Sequence, residues 1–367
     1  MNWYSEDRLA NPRLSIYRYS LPLKAPYNLS FGKIKRFETF YVVIEGRERL
    51  GLGEITPLPG YGPETPESVV RNLHRLEKAM GDWKGPFLSF VRDLWWDAPF
   101  TASGIACAYE TWLEDIETAY FLPLEKSIPL VALCEGNTAE ECYRRAVELV
   151  EQGFRTLKMK IGIRGPSEEI GLVRAASKGA GLLCKLRLDA NQALSMADAM
   201  FICGKIEDLE NLELLEQPFK PDRWKEHEQL ALFTSVPIML DESIWNEDDV
   251  RRASDCGAYF VKLKLCKHLG MAGSRRLADY AESLGLAVVY GNGVQTSLGN
   301  HLEARIFLEK DLTRASESNG FLKPQYQPFD KGLKVEGGML ISKGLKCSHL
   351  PLQDEAMLLR VNLDEDL

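Results

Sequence analysis

The chain has 367 residues and a mass of 41.4 kDa, with 45% hydrophobic and 27% charged residues, so it can bury a sizeable core and is neither disordered nor fibrous. Forty-five Lys and Arg against 53 Asp and Glu leave a net charge of −8 with no basic block or stripe, which argues against a nucleic-acid partner. No apolar run approaches the roughly 18 residues of a membrane helix, and residues 1–9 are polar and acidic rather than leader-like, so the expectation is a cytoplasmic protein without a membrane partner. Eight scattered cysteines without a C-x-x-C pair are expected to be buried, reduced thiols.

Taken in chain order, LSIYRYSLPL, FETFYVVIEG and RLGLGEI are rich in aromatic and β-branched residues and predict a meander over residues 14–54. After the turn-rich TPLPGYGPETP, Val69, Val70, Leu73 and Leu76 fall on one helical face, and the helical pattern continues through SGIACAYETWLEDI. Residues 1–125 therefore read as an α+β unit.

From Ser127 the rhythm changes to alternating strand and helix. IPLVALC precedes a helix that opens at Asn137-Thr138 and exits at Gly153, and TLKMKI follows. The next strand candidates are CKLRLDA, LELLEQP, VPIMLDES, YFVKLKL and LAVVYGN, separated by amphipathic helices such as AGSRRLADYAESLG. The polar residues Lys160, Asp189, Glu216, Asp241 and Lys264 close successive strands at spacings of 29, 27, 25 and 23 positions. A doubly wound sheet would carry a G-x-G-x-x-G turn, which is missing, and would gather its ligand at one switch point. A (β/α) TIM-type barrel over residues 126–330 is the better reading, because all its strand ends meet at one mouth. Residues 331–367 hold no further βα unit and are expected to pack back onto the first unit.

In TLKMKI a strand directs Lys158 and Lys160 to one face and Met159 to the other. Burying two ammonium groups inside a barrel requires partners. Asp189, Glu216 and Asp241 at three consecutive strand ends bring carboxylates together, and such a group calls for a cation. Oxygen donors with no His or Cys among them select a hard ion such as Mg²⁺. Lys264 lies across the barrel, with Lys262 behind it on the same face. A lysine on either side of a carboxylate-held ion suits removal of a proton α to a carboxylate, provided that its ordinary pKa of about 10.4 is lowered to roughly 7–8.

The ordered motifs T-L-K-M-K, R-L-D-A-N, L-E-Q-P-F, L-D-E-S and V-K-L-K-L resemble the enolase superfamily, specifically its muconate-lactonizing subgroup, over nearly the whole chain. The resemblance implies a modified, enolase-like barrel with an N-terminal α+β capping domain, and the lysine base with Mg²⁺ is a known property of that superfamily. Carried over residue by residue, it makes Asp189, Glu216 and Asp241 the metal ligands, Lys160 the base, Lys264 the opposing lysine and Lys158 an electrostatic support for Lys160. Glu242 competes with Asp241 for the third ligand position, although strand alternation sends the two to opposite faces. Asn191 is either an orienting residue or a turn residue. All five histidines read as structural or exposed, which leaves no His/Asp pair of the mandelate-racemase kind.

The resemblance also implies that two capping loops, residues 22–32 and 56–64, choose a small-molecule carboxylate substrate. The second loop resembles o-succinylbenzoate synthases, and Ser297-Leu298-Gly299 resembles their eighth-strand segment. These enzymes remove a proton and then hydroxide from a cyclohexadiene carboxylate in menaquinone synthesis. Gln295 stands where many relatives carry Glu, and Gly291-Asn292-Gly293 departs from the usual approach to that strand, so an N-acylamino acid racemase, a dipeptide epimerase and a cycloisomerase stay open. Dipeptide epimerases carry a D-x-D on the eighth strand that is missing here. A non-catalytic metal-stabilised barrel would show degraded base positions, which this chain does not. The Gly-Asn-Gly turn is a weak phosphate cradle. Barrels of this size commonly associate, and a homo-oligomer is compatible with the sequence.

Overall fold

Alternation of side chains along one strand serves two cores at once. In β2 (Gly32–Gly46), Phe40, Val42 and Ile44 pack with the capping helices, while Tyr41 and Val43 between them join the core that extends into the barrel. The structure is a computed structural model describing residues 13–29, 32–46, 49–80, 87–114, 127–291, 294–310, 313–328, 332–342 and 357–362. Strands β1 (Arg13–Leu29), β2 and β3 (Arg49–Ile55) form the expected antiparallel meander. Helices α1 (Pro66–Met80), α2 (Phe87–Trp95) and α3 (Pro99–Leu113) follow. A Cβ at Gly51 or Gly53 would run into the α3 backbone at Ala108 or Gly104, so these two glycines let β3 and α3 meet backbone to backbone. The N-terminus of α3 has no side-chain cap of its own. Glu64, from the turn ahead of α1, supplies it, accepting from Phe100 N at 2.5 Å and Thr101 N at 3.2 Å.

Two short strands follow, β4 (Ile128–Pro129), which belongs to a separate three-stranded sheet, and β5 (Ala132–Leu133), the first strand of the barrel. Then come α4 (Ala139–Glu151), β6 (Thr156–Lys160), α5 (Pro166–Ala180), β7 (Lys185–Asp189), α6 (Met196–Ile206), β8 (Leu212–Glu216), α7 (Trp224–Phe233), β9 (Ile238–Leu240), α8 (Glu247–Asp255), β10 (Phe260–Leu263), α9 (Gly270–Ser283), β11 (Ala287–Tyr290) and α10 (Ser297–Glu309). Strands β5 to β11 run parallel in sequential order. Thr138 caps α4 as predicted, its side chain accepting from Glu141 N, and Gly153 leaves the helix at φ +99°.

The ring closes without a regular eighth strand. Ser316 N donates to Pro129 O and Val131 N to Ser316 O at 2.8 and 2.9 Å, while Glu317 N donates to Tyr290 O at 3.1 Å, so residues 316–317 fill the gap between β11 and the β4–β5 segment. Ser297-Leu298-Gly299, expected on that strand, instead opens α10. The cause is non-local: buried Glu54 of the capping sheet accepts from Thr296 N at 2.7 Å and Gly299 N at 2.8 Å, holding the helix N-terminus. The tail meets its expectation only in β14. Strands β12 (Leu333–Glu336) and β13 (Met339–Ser342) form a hairpin against β4, not against the capping sheet, whereas β14 (Met357–Asn362) pairs with β1.

Seven cysteines are buried and free, and Cys347 lies outside the described residues, as does His349. His227, His268 and His301 are buried, and His74 is half exposed beside Glu77. No helix among the described residues is long and apolar enough to cross a membrane.

Candidate active site

Period-two alternation in β6 sends Lys158 into the barrel and Met159 into the apolar layer outside it. Lys158 Nζ lies 2.8 Å from Asp189 Oδ2, 2.9 Å from Glu216 Oε2 and 2.8 Å from Glu317 Oε1. Burial alone would lower the Lys158 ammonium, but Asp189, Glu216 and Glu317 outweigh it and hold the pKa well above the ordinary value. Lys262 is equally enclosed, 2.9 Å from Glu216 Oε1, 2.7 Å from Glu317 Oε2 and 3.7 Å from Asp241 Oδ2. The barrel makes room for it at one point: a Cβ at Gly291 would overlap Lys262 Cε. These groups form the floor of the site.

Asp189 and Glu216 end β7 and β8 in register with each other, and Asp241 stands one residue beyond β9. Lys264 likewise stands one residue beyond β10. Its Nζ donates to Asp241 Oδ2 at 2.8 Å and sits 4.0 Å from the centroid of the Tyr61 ring. Tyr61 OH donates to Asp241 Oδ1 at 2.8 Å and accepts from Lys267 Nζ at 2.8 Å. Burial would raise the Asp241 carboxyl, but the Lys264, Lys262 and Lys267 ammonium groups prevail and hold it well below the usual carboxylate range. Lys267, buried beside Trp245 with few compensating charges, is pushed down to about 8.

Because Asp241 and Glu242 follow the last residue of β9, alternation no longer governs them. Both face the same cavity, which overturns their expected placement on opposite faces. Asn191, at φ +40°, donates its N–H to Asp189 Oδ1 at 2.9 Å and its Nδ2 to Glu242 Oε1 at 3.4 Å, so it orients carboxylates rather than only turning the chain. Glu242 Oε2 is buried without a hydrogen bond, and Glu216 Oε2, although near Lys158, lies outside hydrogen-bond geometry.

At the mouth, half-buried Lys160 lies 5.9 Å from the centroid of Tyr27, and half-buried Lys323 lies 4.7 Å from it on the same ring. Burial, partly offset by Glu317, pushes Lys323 down to about 8. The enclosed space is about 80 Å³ and brings together Lys158, Lys160, Lys264, Asp189, Glu216 and Asp241. A larger groove of about 520 Å³ outside the strands, lined by Arg144, Glu148 and Arg164, also reaches Lys160 but holds none of the interior carboxylates. Gln295 faces Glu54 and Gly299, away from the cavity. Asn292 and Gly293 of the weak phosphate cradle lie outside the described residues.

The donor set fits a hard cation. Asp189, Glu216 and Asp241 offer only oxygen, are buried, and already share cations pairwise, Lys158 between the first two and Lys262 between the last two. Among the described residues no three His, Cys, Asp or Glu side chains are spaced to hold an ion directly. Sequence reasoning missed Glu317, Tyr27, Tyr61, Lys267 and Lys323. The available signals were Lys262, a second interior lysine that needs a counter-ion, and the two capping loops, which contain Tyr27 and Tyr61.

Comparison with known proteins agrees with this architecture. Residues 141–344 match the family model described as Enolase C-terminal domain-like, and residues 12–112 match MenC, N-terminal domain. The chain is 24% identical to L-Ala-D/L-Glu epimerase of Bacillus subtilis, covering 90% of this chain and 94% of that protein. It is 28% identical to o-succinylbenzoate synthase of Haemophilus influenzae, covering 81% and 86%. Among solved structures, N-succinyl Arg/Lys racemase from Bacillus cereus superposes with a TM-score of 0.81 at 20% identity, covering 96% and 99%. The family model spans more than half of the chain, and the parallel barrel beneath a meander cap agrees with it: this chain is an enzyme of the enolase superfamily.

Proposed function

We propose that the chain removes a proton α to a carboxylate through an enediolate, with Mg²⁺ held by Asp189, Glu216 and Asp241, and that its reaction is the dehydration characteristic of o-succinylbenzoate synthases. Bound there, the ion supplies fixed positive charge against the charge that develops on the substrate carboxylate. Lys160 Nζ takes the α proton, and the carbon's electron pair passes into the carboxylate. Return of that pair expels the β-hydroxyl group, which leaves as water with the proton handed back by Lys160, and the ring becomes aromatic. Lys264 stays charged throughout and stabilises the enediolate from the opposite side.

The observation that carries this reading is the setting of Lys264. Its ammonium group is bound to Asp241 at 2.8 Å beneath the Tyr61 ring, which suits a group that stabilises charge more than one that exchanges protons. One base suffices for dehydration, while racemization through two lysines needs both to exchange protons. On the closing segment Ser316 and Ser318 flank Glu317, whose two oxygens are held by Lys158 and Lys262, which leaves no evident acceptor there for a dipeptide's ammonium group.

Lys264→Arg tests the assignment. Dehydration should fall by no more than about tenfold, roughly 1.4 kcal/mol, since the cation is retained. If the variant loses deuterium exchange with one enantiomer of an N-acylamino acid while the wild type exchanges both, the two-base racemase replaces this reading.

A further inference from the structure

We propose that Lys323, together with Tyr27 of the capping sheet, forms an anion subsite for a second substrate carboxylate remote from the reacting carbon. The inference deepens the functional reading above and rests on it for the nature of the substrate.

Lys323 is fixed by its backbone and unmatched at its side chain. Lys24 N donates to Lys323 O at 2.9 Å, Gln325 N donates to Pro22 O at 2.8 Å, and Leu23 and Pro324 pair between them, so the capping strand β1 holds this segment in place over the mouth. The ammonium group lies on Tyr27, and its hydrogen bond to Asn319 Oδ1 is long at 3.4 Å. Three other cavity lysines have carboxylate oxygens at 2.9 Å or less: Lys158, Lys262 and Lys264. No carboxylate of the described residues lies within 4.0 Å of Lys323 Nζ, the limit for an ion pair. An ammonium group carries three donors, and holding one half-buried against an aromatic face with a single neutral acceptor is unfavourable unless a ligand completes it.

Lys323 and the proposed base rest on one ring. Lys160 and Lys323 lie 5.9 and 4.7 Å from the same centroid and line the same cavity, so an anion held at Lys323 stays close to the reacting carbon. With the reacting carboxylate near Asp189 and Glu216, the distal carboxylate meets Lys323 under Tyr27, where the capping strand fixes both residues. The competing account is that Lys323 only anchors Tyr27 by a cation–π contact.

Binding to the Mg²⁺-loaded protein separates the two. Calorimetry compares o-succinylbenzoate with 2-butanoylbenzoate, which replaces the distal carboxylate by a methyl group, and N-succinylphenylalanine with N-butanoylphenylalanine. The wild type should favour the dianion of at least one pair by about tenfold or more. Lys323→Gln should reduce that ratio to near one by weakening the dianion alone, and Lys323→Arg should keep it. A wild-type ratio near one in both pairs, or an unchanged ratio in Lys323→Gln, overturns the subsite. A ratio confined to the N-succinyl pair keeps the subsite and removes the dehydration reading instead.

Discussion

The floor and the mouth of the barrel handle positive charge in different ways. On the floor, Lys158 and Lys262 each touch two or three carboxylate oxygens, and Glu317 joins them from the closing segment. At the mouth Lys160 and Lys323 lie against the Tyr27 ring, and Lys264 combines both settings, on the Tyr61 face and bound to Asp241. Carboxylate-bound lysines hold the site together and shape the electrostatic background. The same residue type is thus set in two ways, enclosed by carboxylates on the floor and resting on aromatic rings at the mouth.

That division breaks most sharply at Lys160. Lys160→Ala should lower turnover by at least about 10³-fold while Mg²⁺ affinity, read by calorimetry without substrate, stays within about twofold of wild type. Retained turnover would remove Lys160 from the role of base. On the floor the large effect should be on stability. Lys262→Met or Glu317→Gln alone unbalances a buried charge network, although Glu317 keeps Lys158 and Lys262 keeps Glu216, and should destabilise by up to about 3–5 kcal/mol in urea titrations, whereas the double variant should recover a substantial part of the loss. Gly291→Ala should act in the same direction by pressing on Lys262. Additive losses in the double variant would show that the pair is not a unit.

A smaller effect is expected for the ion. Asp189→Asn should weaken Mg²⁺ binding by at least about 10–100-fold, the range seen for losing even an outer partner of a metal site. Full activity in excess chelator would remove the metal from the account. The smallest effect compares two buried carboxyls near the closing segment. Glu317, between two lysines, is held well below the usual range despite burial, whereas Glu303, buried with Oε1 unpartnered, is pushed up to about 8. A carboxyl raised in the folded state contributes stability at low pH that is lost as pH climbs from its ordinary value through about 8. Glu303→Gln should therefore remove a loss of about 1.4 kcal/mol per pH unit between pH 6 and 7. A pH profile identical to wild type would count against a protonated Glu303.

Much of this was legible in the chain because strand periodicity encodes which face a residue occupies. Lys158 and Lys160 share a face in TLKMKI, and Asp189 and Glu216 fall on the last residues of β7 and β8. The reading fails where periodicity stops. Asp241 and Glu242 lie beyond β9, so the alternation rule misplaced Glu242. Glu317 sits in TRASESNG, a polar run that reads as a loop, and becomes part of the ring only through backbone bonds to Pro129, Val131 and Tyr290 made around residues 316–317. The helical start at Ser297 depends on Glu54, far away in sequence. Tyr27 and Tyr61 lie in the two segments expected to choose the substrate, but which of their side chains reach the site, like the placement of Lys323, depends on packing of the cap on the barrel, for which no local pattern exists.

The most direct test of the central claim is proton NMR in D₂O with Mg²⁺, offering the cyclohexadiene precursor of o-succinylbenzoate beside N-succinyl amino acids and dipeptides. The account predicts Mg²⁺-dependent loss of the precursor with growth of aromatic signals, abolished by chelator and by Lys160→Ala. Deuterium entering the α-carbon of an amino-acid derivative while the precursor remains unchanged would contradict it.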